Sequence, residues 1–218
     1  MTTRGKRPGR PQENAAGTDP REALLDEACR LFAAEGVDAV SLRRVAAAAG
    51  VTPAMVSYYF GNKEGLAHAA LERGLEHLLE VVENVAASED DTVTSTFIDR
   101  YIRAIVNEPY LPQLMVREVL GGKVAYQQVI MERFARRVLA LMPGRIAADM
   151  ARGRIRADLD PRLTMLSVVG MCVFPFLAAP LLRPILGFEY DERFAEVLIA
   201  HTRTLFTEGG VPHAVQDG

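Results

Sequence analysis

The side chains of this chain best suited to recognition chemistry lie between residues 41 and 63, in the segment SLRRVAAAAGVTPAMVSYYFGNK. The segment combines adjacent arginines, several hydroxyl groups and a lysine with signals for two short helices joined by a tight turn. This is the layout of a helix-turn-helix, a motif that places its second helix in the major groove of DNA. The segment therefore predicts binding to bases and phosphates.

The residues that catalysis would need are scattered along the chain. The sequence has no Gly-rich phosphate loop, no His-Glu-x-x-His, no Cys-x-x-Cys and no Gly-x-Ser-x-Gly. Cys29 fits the apolar face of a first helix, and Cys172 is either a core residue or a thiol sensor. The histidines share no ligand spacing with carboxylates or thiols, and we expect surface or interface positions for His68, His77, His201 and His213. We predict no enzyme activity, no metal and no cofactor.

Local signals agree on where the first helices begin and end. Asp19 can cap a helix that runs to about residue 34, and Ser41 can cap the next one. Gly50 can adopt the positive φ that a helix end often needs. Thr52 then caps the third helix and Asn62 the fourth. These boundaries make the helix-turn-helix prediction specific.

The segment resembles the DNA-binding domain of TetR-family transcriptional repressors. The resemblance rests on Ala49-Gly50-Val51-Thr52, on Val56 and Tyr59-Phe60, and on Lys63-Glu64-Gly65-Leu66. Ser57 departs from the family pattern, which usually has a tyrosine there. The resemblance covers about residues 20–70. It implies DNA contacts from helices two, three and four by Ser41, Arg43, Arg44, Thr52, Pro53, Ala54, Met55, Ser57, Tyr58, Tyr59 and Lys63.

Among these candidate contacts, we expect Arg43 to pair bidentately with a guanine edge, whereas Tyr59 and Lys63 suit phosphates. The alternative for Arg43 and Arg44 is a solvated helix face. A second candidate contact is the basic segment RGKRPGRP at residues 4–11, which resembles arms that read the minor groove; a merely solubilising tail is the alternative. The whole chain has a net charge of −3, but residues 1–12 contain the basic residues Arg4, Lys6, Arg7 and Arg10 and no acidic residue, so positive charge is concentrated at its front.

The apolar periodicity predicts an all-α protein, since no strand-like alternation appears. We expect a three-helix helix-turn-helix domain joined by a long helix to a larger helical ligand-binding and dimerisation domain. The expected divisions are a disordered arm at 1–18, the DNA-binding domain at 19–66, the larger domain at 67–210 and a tail at 211–218. Long helices are expected at 63–87, 92–107, 110–120, 123–152 (which Pro143-Gly144 can split), 160–186 and 190–208.

Large deformable apolar side chains in the second domain predict a small-molecule cavity. The candidates are Phe97, Tyr101, Leu114, Met115, Tyr126, Met131, Phe134, Met165, Met171, Phe174 and Phe176. The alternative is that they form an ordinary core. Three prolines at 175, 180 and 184 favour the cavity, because they free backbone carbonyls and bend a helix.

The apolar stretch from 163 to 182 approaches the length of a membrane span, but its prolines favour a buried helix. With two distant cysteines and no signal peptide, we expect a cytoplasmic protein. The family resemblance implies a homodimer through the helices near 160–186 and 190–208. The last helix has the apolar stripe that such packing needs, formed by Phe194, Val197, Leu198, His201, Leu205 and Phe206.

The sequence thus predicts a homodimeric, ligand-responsive regulator that binds operator DNA and a small-molecule effector, with repression the expected effect. One alternative is a constitutive DNA-binding or architectural protein without an effector. Another is a helical enzyme or carrier whose helix-turn-helix is incidental. Effector-sensitive binding to a palindrome would distinguish the first from the others.

Overall fold

The computed structural model describes residues 19–88 and 92–207. Over these residues the protein is helical without a strand, which confirms the all-α prediction. The predicted arm at 1–18 and the tail at 211–218 lie outside the described residues. The helices are α1 Pro20–Glu35, α2 Leu42–Ala48, α3 Pro53–Phe60, α4 Lys63–Ala87, α5 Val93–Asn107, α6 Leu111–Leu114, α7 Val124–Val129, α8 Arg136–Ala151, α9 Pro161–Leu177, α10 Ala179–Leu186 and α11 Glu192–Thr207.

The chain divides into two compact units, with the division between Ala70 and Leu71. In the first unit, α2 and α3 pack against α1 and against each other. The fully buried Leu24, Phe32, Val45 and Val56 form the centre of this core. Burying apolar faces from three short helices is what stabilises helices that would be marginal alone.

Side-chain caps fix three of the four predicted helix starts. Asp19 accepts from the backbone N–H of Arg21 at 3.0 Å, and Ser41 accepts from that of Arg44 at 3.3 Å. Asn62 accepts from the N–H of Gly65 at 2.8 Å. The prediction for Thr52 is wrong, because its side chain makes no cap hydrogen bond although its backbone is extended as at an N-cap. Pro53 at the first helical position supplies the helical φ there instead.

In the second unit, α5 is the central element and packs against α8, α9 and α11. Its N-terminus is capped from a distant helix: buried Asp149 of α8 accepts from the backbone N–H of Val93 at 3.1 Å. The same carboxylate lies 3.3 Å from Nη1 of Arg154. These two contacts offset the cost of removing the Asp149 carboxylate from water. They also connect the N-terminus of α5 to the turn after α8.

Two stretches of π-helix interrupt the helical layer between α5 and α9. Residues Met115–Leu120 continue α6, and Ile130–Ala135 join α7 to α8. A π-helical turn holds one residue more than an α-helical turn, so each stretch rotates the side chains that follow it. Neither stretch was predicted.

The prolines act differently in two helices. Pro143 lies inside a continuous α8, so the predicted split at Pro143-Gly144 is wrong. The carbonyl that Pro143 deprives of a donor belongs to Leu139, which faces solvent and where water can replace the lost N–H. By contrast, the predicted break in 160–186 is confirmed: α9 and α10 meet at Ala178 with a bend of 72°.

Candidate nucleic-acid interface and apolar cavity

The turn between α2 and α3 is built from backbone hydrogen bonds and one glycine. The N–H of Val51 donates to the carbonyl of Ala46 at 2.9 Å, and Gly50 has φ 66°. A side chain with a Cβ rarely adopts that conformation, so glycine is required to close the turn. With Val45 and Val56 buried against α1, the opposite faces of α2 and α3 are left on the surface.

None of the eleven predicted DNA contacts is buried. Arg43 and Arg44 project from α2, and Tyr58 of α3 is 78% exposed. Tyr59 is half-buried and its ring meets that of Tyr58 edge-on at 5.0 Å. The exposed members are Ser41, Arg43, Arg44, Thr52, Pro53, Ala54, Ser57 and Tyr58, and the half-buried members are Met55, Tyr59 and Lys63.

The two adjacent arginines differ in their partners. The guanidinium of Arg44 makes a two-pronged pair with the carboxylate of Glu35, with Nη2 at 2.7 Å from Oε1. Hydrogen bonds from Arg44 hold the pKa of Glu35 below its usual value. Arg43 has no ion pair in the part of the chain that the structure describes. Arg43 is therefore free to reach another molecule, whereas Arg44 is oriented from α1.

Lys63 has a role that sequence reasoning missed. Its Nζ donates to the carbonyl oxygens of Asp38 and Val40, at 3.1 and 3.3 Å. These carbonyls belong to the loop that leads into Ser41, the cap of α2. Because an ammonium group has three donors, Lys63 can fix this loop and still offer one N–H to a phosphate.

The second unit contains an apolar cavity of about 390 Å³, its open mouth included. Three of the predicted pocket residues line it: Tyr101, Met115 and Phe134. The remaining lining is aliphatic and was not predicted, although Leu75 and Leu78 belong to the apolar stripe of α4. The full lining is Leu75, Leu78, Tyr101, Ile105, Leu111, Pro112, Met115, Phe134, Val173 and Leu177.

The other predicted pocket residues lie outside the cavity lining. Phe97 is buried and stacks on Tyr101 with 4.7 Å between ring centroids. Met131 and Phe174 are 51% and 63% exposed, because they lie on the outer faces of their helices. Buried positions are occupied by Leu114, Tyr126, Met165 and Phe176, while Met171 is half-buried.

Burial raises the pKa of two titratable groups beside the cavity. Tyr101 is buried and its pKa lies above the usual value, chiefly through desolvation. Burial also raises the pKa of the Cys172 thiol to about 12. Since the thiolate is the reactive form, the structure favours the core position over the thiol sensor for Cys172.

A stripe of exposed apolar residues runs along α9. Leu163, Leu166 and Phe174 are each more than 60% exposed, and Gly170 lies between them at helical spacing. A Cβ built on Gly170 would meet nothing within 4 Å, so packing within this chain does not require glycine there. Such an open apolar stripe is typical of a surface that another helix covers.

The neighbouring helices continue this surface. No residue of α10 is buried, and Leu181 and Ile185 are about three-quarters exposed. On α11, Val197 and Leu205 face outward with His201, whereas Phe194 of the predicted stripe is buried within its own chain beside Phe176. In the described residues no single helix is long and apolar enough to cross a membrane, although the bent pair α9 and α10 meets the length and composition of a broken span.

Comparison with known proteins finds bacterial transcriptional regulators that are similar to this chain. A family model described as "Bacterial regulatory proteins, tetR family" matches residues 24–70. The HTH-type transcriptional regulator BetI of Rhizobium meliloti is 29% identical over 140 residues, which cover 63% of this chain and 66% of BetI. The HTH-type transcriptional repressor ComR of Escherichia coli is 36% identical over 87 residues, covering 40% of this chain and 41% of ComR. Both alignments thus span less than two thirds of the relative's length.

The likeness in fold extends further along the chain. The TetR-family regulator PfmR of Thermus thermophilus superposes with a TM-score of 0.72 over 90% of this chain and 100% of its own, at 21% identity. The family model thus covers most of α1, all of α2 and α3 and the beginning of α4, and the structural match includes the larger unit. Residues 24–70 of this chain thus match the bacterial tetR regulatory family, and its described fold is that of a TetR-family regulator.

Proposed function

We propose that this regulator is a repressor. Two copies bind a palindromic operator through the exposed faces of α2 and α3, and a small apolar or aromatic effector bound in the cavity lined by Tyr101 lowers the affinity for DNA. The single observation that carries most of this proposal is the recognition surface itself. Arg43, Ser57 and Tyr58 project from two short helices whose opposite faces are buried.

The proposed base contact is Arg43. Its guanidinium has no competing ion pair in the described residues, and its fork of donors matches the O6 and N7 acceptors of guanine. Ser57, Tyr58 and Tyr59 would reach bases or phosphates from α3, and Lys63 a phosphate from the start of α4. The basic arm at residues 1–18 would add phosphate contacts.

The proposed dimer forms through α9 and α11. Its support is the exposed stripe with Leu163, Leu166 and Phe174 on α9 and Val197 and Leu205 on α11. A two-fold symmetric dimer presents two copies of α3, which suits the two half-sites of a palindrome. We place this assembly in the cytoplasm, with its operator.

The proposed link between effector and DNA is α4. This one helix begins with Lys63 and carries Leu75 and Leu78, which line the cavity. An effector that changes the position of these leucines acts on the helix that starts at the DNA-binding residues. Thermodynamic linkage then requires operator DNA to lower effector affinity by the same factor, typically about 5- to 150-fold.

The test begins by selecting duplexes from a random pool and determining the stoichiometry on the best binder. We expect a palindromic sequence bound by two chains. Apolar and aromatic compounds are then screened for release of a labelled operator, followed by fluorescence anisotropy. A compound that releases DNA is titrated by calorimetry with and without saturating operator. Equal effector affinity in both titrations would refute the coupling and favour a constitutive DNA-binding protein.

A further inference from the structure

We propose that the effector is an uncharged, largely apolar molecule with one hydrogen-bonding oxygen, which the Tyr101 hydroxyl binds. This inference rests on the proposed function, in which the cavity is the effector site. It adds the chemical class of the ligand and the one side chain that orients it.

The lining of the cavity determines the charge of its occupant. No lining residue carries an ionised side chain at neutral pH, and nine of the ten are apolar. A carboxylate or ammonium group bound there would lose its water without gaining an opposite charge or several hydrogen bonds, which is far more costly than burying a neutral molecule. A charged group is therefore excluded from the interior of this cavity, so a ligand held wholly inside it must be neutral.

Tyr101 is the exception in this lining. The residue is only 2% exposed, and the structure records no hydrogen bond to its hydroxyl from any residue in 19–88 or 92–207. The hydroxyl oxygen is not among the atoms that are both fully buried and unpaired, so the small surface it keeps is open to the cavity, where a partner can enter from outside the chain. The ring is held by stacking on Phe97 at an interplanar angle of 20°, so the hydroxyl has a defined place.

The protonation state of Tyr101 determines what kind of atom it binds. Burial raises its pKa above the ordinary value, so the hydroxyl keeps its proton at neutral pH and can donate. A carbonyl or ether oxygen on an apolar skeleton is the matching acceptor. One well-placed polar group among apolar contacts is the usual way a small-molecule site fixes the orientation of its ligand.

A nearby groove provides a contrast. It is lined by Glu72, Glu76 and Arg133 together with two leucines, so charged ligands would find partners there and not in the cavity. Any binding of a charged probe must therefore be checked for its dependence on Tyr101.

The test uses three probes that share one bicyclic skeleton: 2-acetylnaphthalene, 2-ethylnaphthalene and 2-naphthoate. The ketone has an acceptor oxygen, the hydrocarbon has none, and the acid is charged at neutral pH. Each is titrated by calorimetry into the full chain and into Tyr101→Phe, which removes only the hydroxyl. Tyr190→Phe is the matched control, since Tyr190 is a half-buried tyrosine that does not line this cavity.

We expect the wild-type chain to bind the ketone about 2- to 10-fold more tightly than the hydrocarbon, the range of one neutral hydrogen bond. Tyr101→Phe should abolish that difference and Tyr190→Phe should preserve it. The acid should bind at least about 100-fold more weakly than the ketone. A ketone preference that persists in Tyr101→Phe, or an acid that binds the wild-type chain as tightly as the ketone and loses affinity in Tyr101→Phe, would overturn the inference.

The same titrations separate this inference from the proposed function. If the probes bind in the expected order but leave operator DNA bound, the ligand class stands and the proposed coupling fails. If none of the three binds, the inferred ligand class fails, and the proposed repressor is then decided by the operator selection and the compound screen. Should Tyr101→Phe not fold, the order of the three probes on the wild-type chain still decides whether the cavity takes neutral ligands in preference to charged ones.

Discussion

The proposed dimer surface makes a quantitative prediction about Leu166. Its side chain is 67% exposed on the outer face of α9. Fully burying a leucine contributes about 1.5–3 kcal/mol, so covering the exposed two thirds would contribute about 1–2 kcal/mol. In a two-fold symmetric dimer the residue occurs twice, which makes about 2–4 kcal/mol per dimer. We therefore expect Leu166→Gln to raise the dimer dissociation constant by about 30- to 700-fold.

Leu139→Gln is the matched control. Leu139 is 56% exposed on α8, outside the surface formed by α9 and α11, and the substitution is chemically identical. Glutamine is a good helix former, so neither change should alter the fold of the single chain, which circular dichroism would verify. The dissociation constants of the wild-type chain and of both variants are measured by sedimentation velocity over a dilution series. If Leu166→Gln and Leu139→Gln dissociate alike, the assignment of α9 to the interface is wrong.

Three further predictions test other parts of the structure. Arg43→Ala should lose about 1–3 kcal/mol of DNA-binding free energy at one operator position and relax base preference there. Arg30→Ala on α1 removes the same charge and should leave that base preference unchanged. Fluorescence anisotropy on single-base variants of the operator compares the two variants. Gly170→Arg places a charged side chain on the proposed dimer surface of α9 and should prevent dimer formation, whereas Gly144→Arg on α8 should not. Both glycines are exposed with open space around them, so neither change should disturb the single chain, and sedimentation compares the two. Burial raises the pKa of Cys172 to about 12 from 9.0 in the unfolded chain, so the folded chain favours the neutral thiol. The contribution of this neutral thiol to the free energy of unfolding should be complete below pH 9 and lost between about pH 9 and 12. Urea unfolding across that range should show a steeper loss in the wild-type chain than in Cys172→Ala.

The first four helices could be predicted closely because their boundaries depend on adjacent residues. Asp19, Ser41 and Asn62 each accept from a backbone N–H two or three positions ahead, an interaction that the sequence alone contains. Gly50 marks a turn for an equally local reason, its positive φ. The error at Thr52 is small by comparison, because Pro53 begins the same helix without help from a side chain.

The second unit was less predictable because its features depend on distant partners. The cap of α5 comes from Asp149, 56 positions away in the sequence. The cavity forms where α4, α5, α6, α9 and both π-helical stretches contribute one or two side chains each, so no segment by itself contains its pattern. Aromatic and methionine content indicated the correct domain, but it could not separate Tyr101, which lines the cavity, from Phe97, which stacks behind it.

Arg43 and Arg44 show where sequence reasoning about the recognition surface ends. The two residues are adjacent, have the same charge and lie on the same exposed helix, so the pattern of α2 alone could not justify the predicted choice of Arg43 as the base contact. The difference comes from Glu35, the last residue of α1, whose carboxylate occupies the donors of Arg44. Packing of α1 against α2 is thus what makes Arg43 the available guanidinium. We therefore expect loss of the Glu35 carboxylate to release the guanidinium of Arg44, which would place a second available arginine on the same surface.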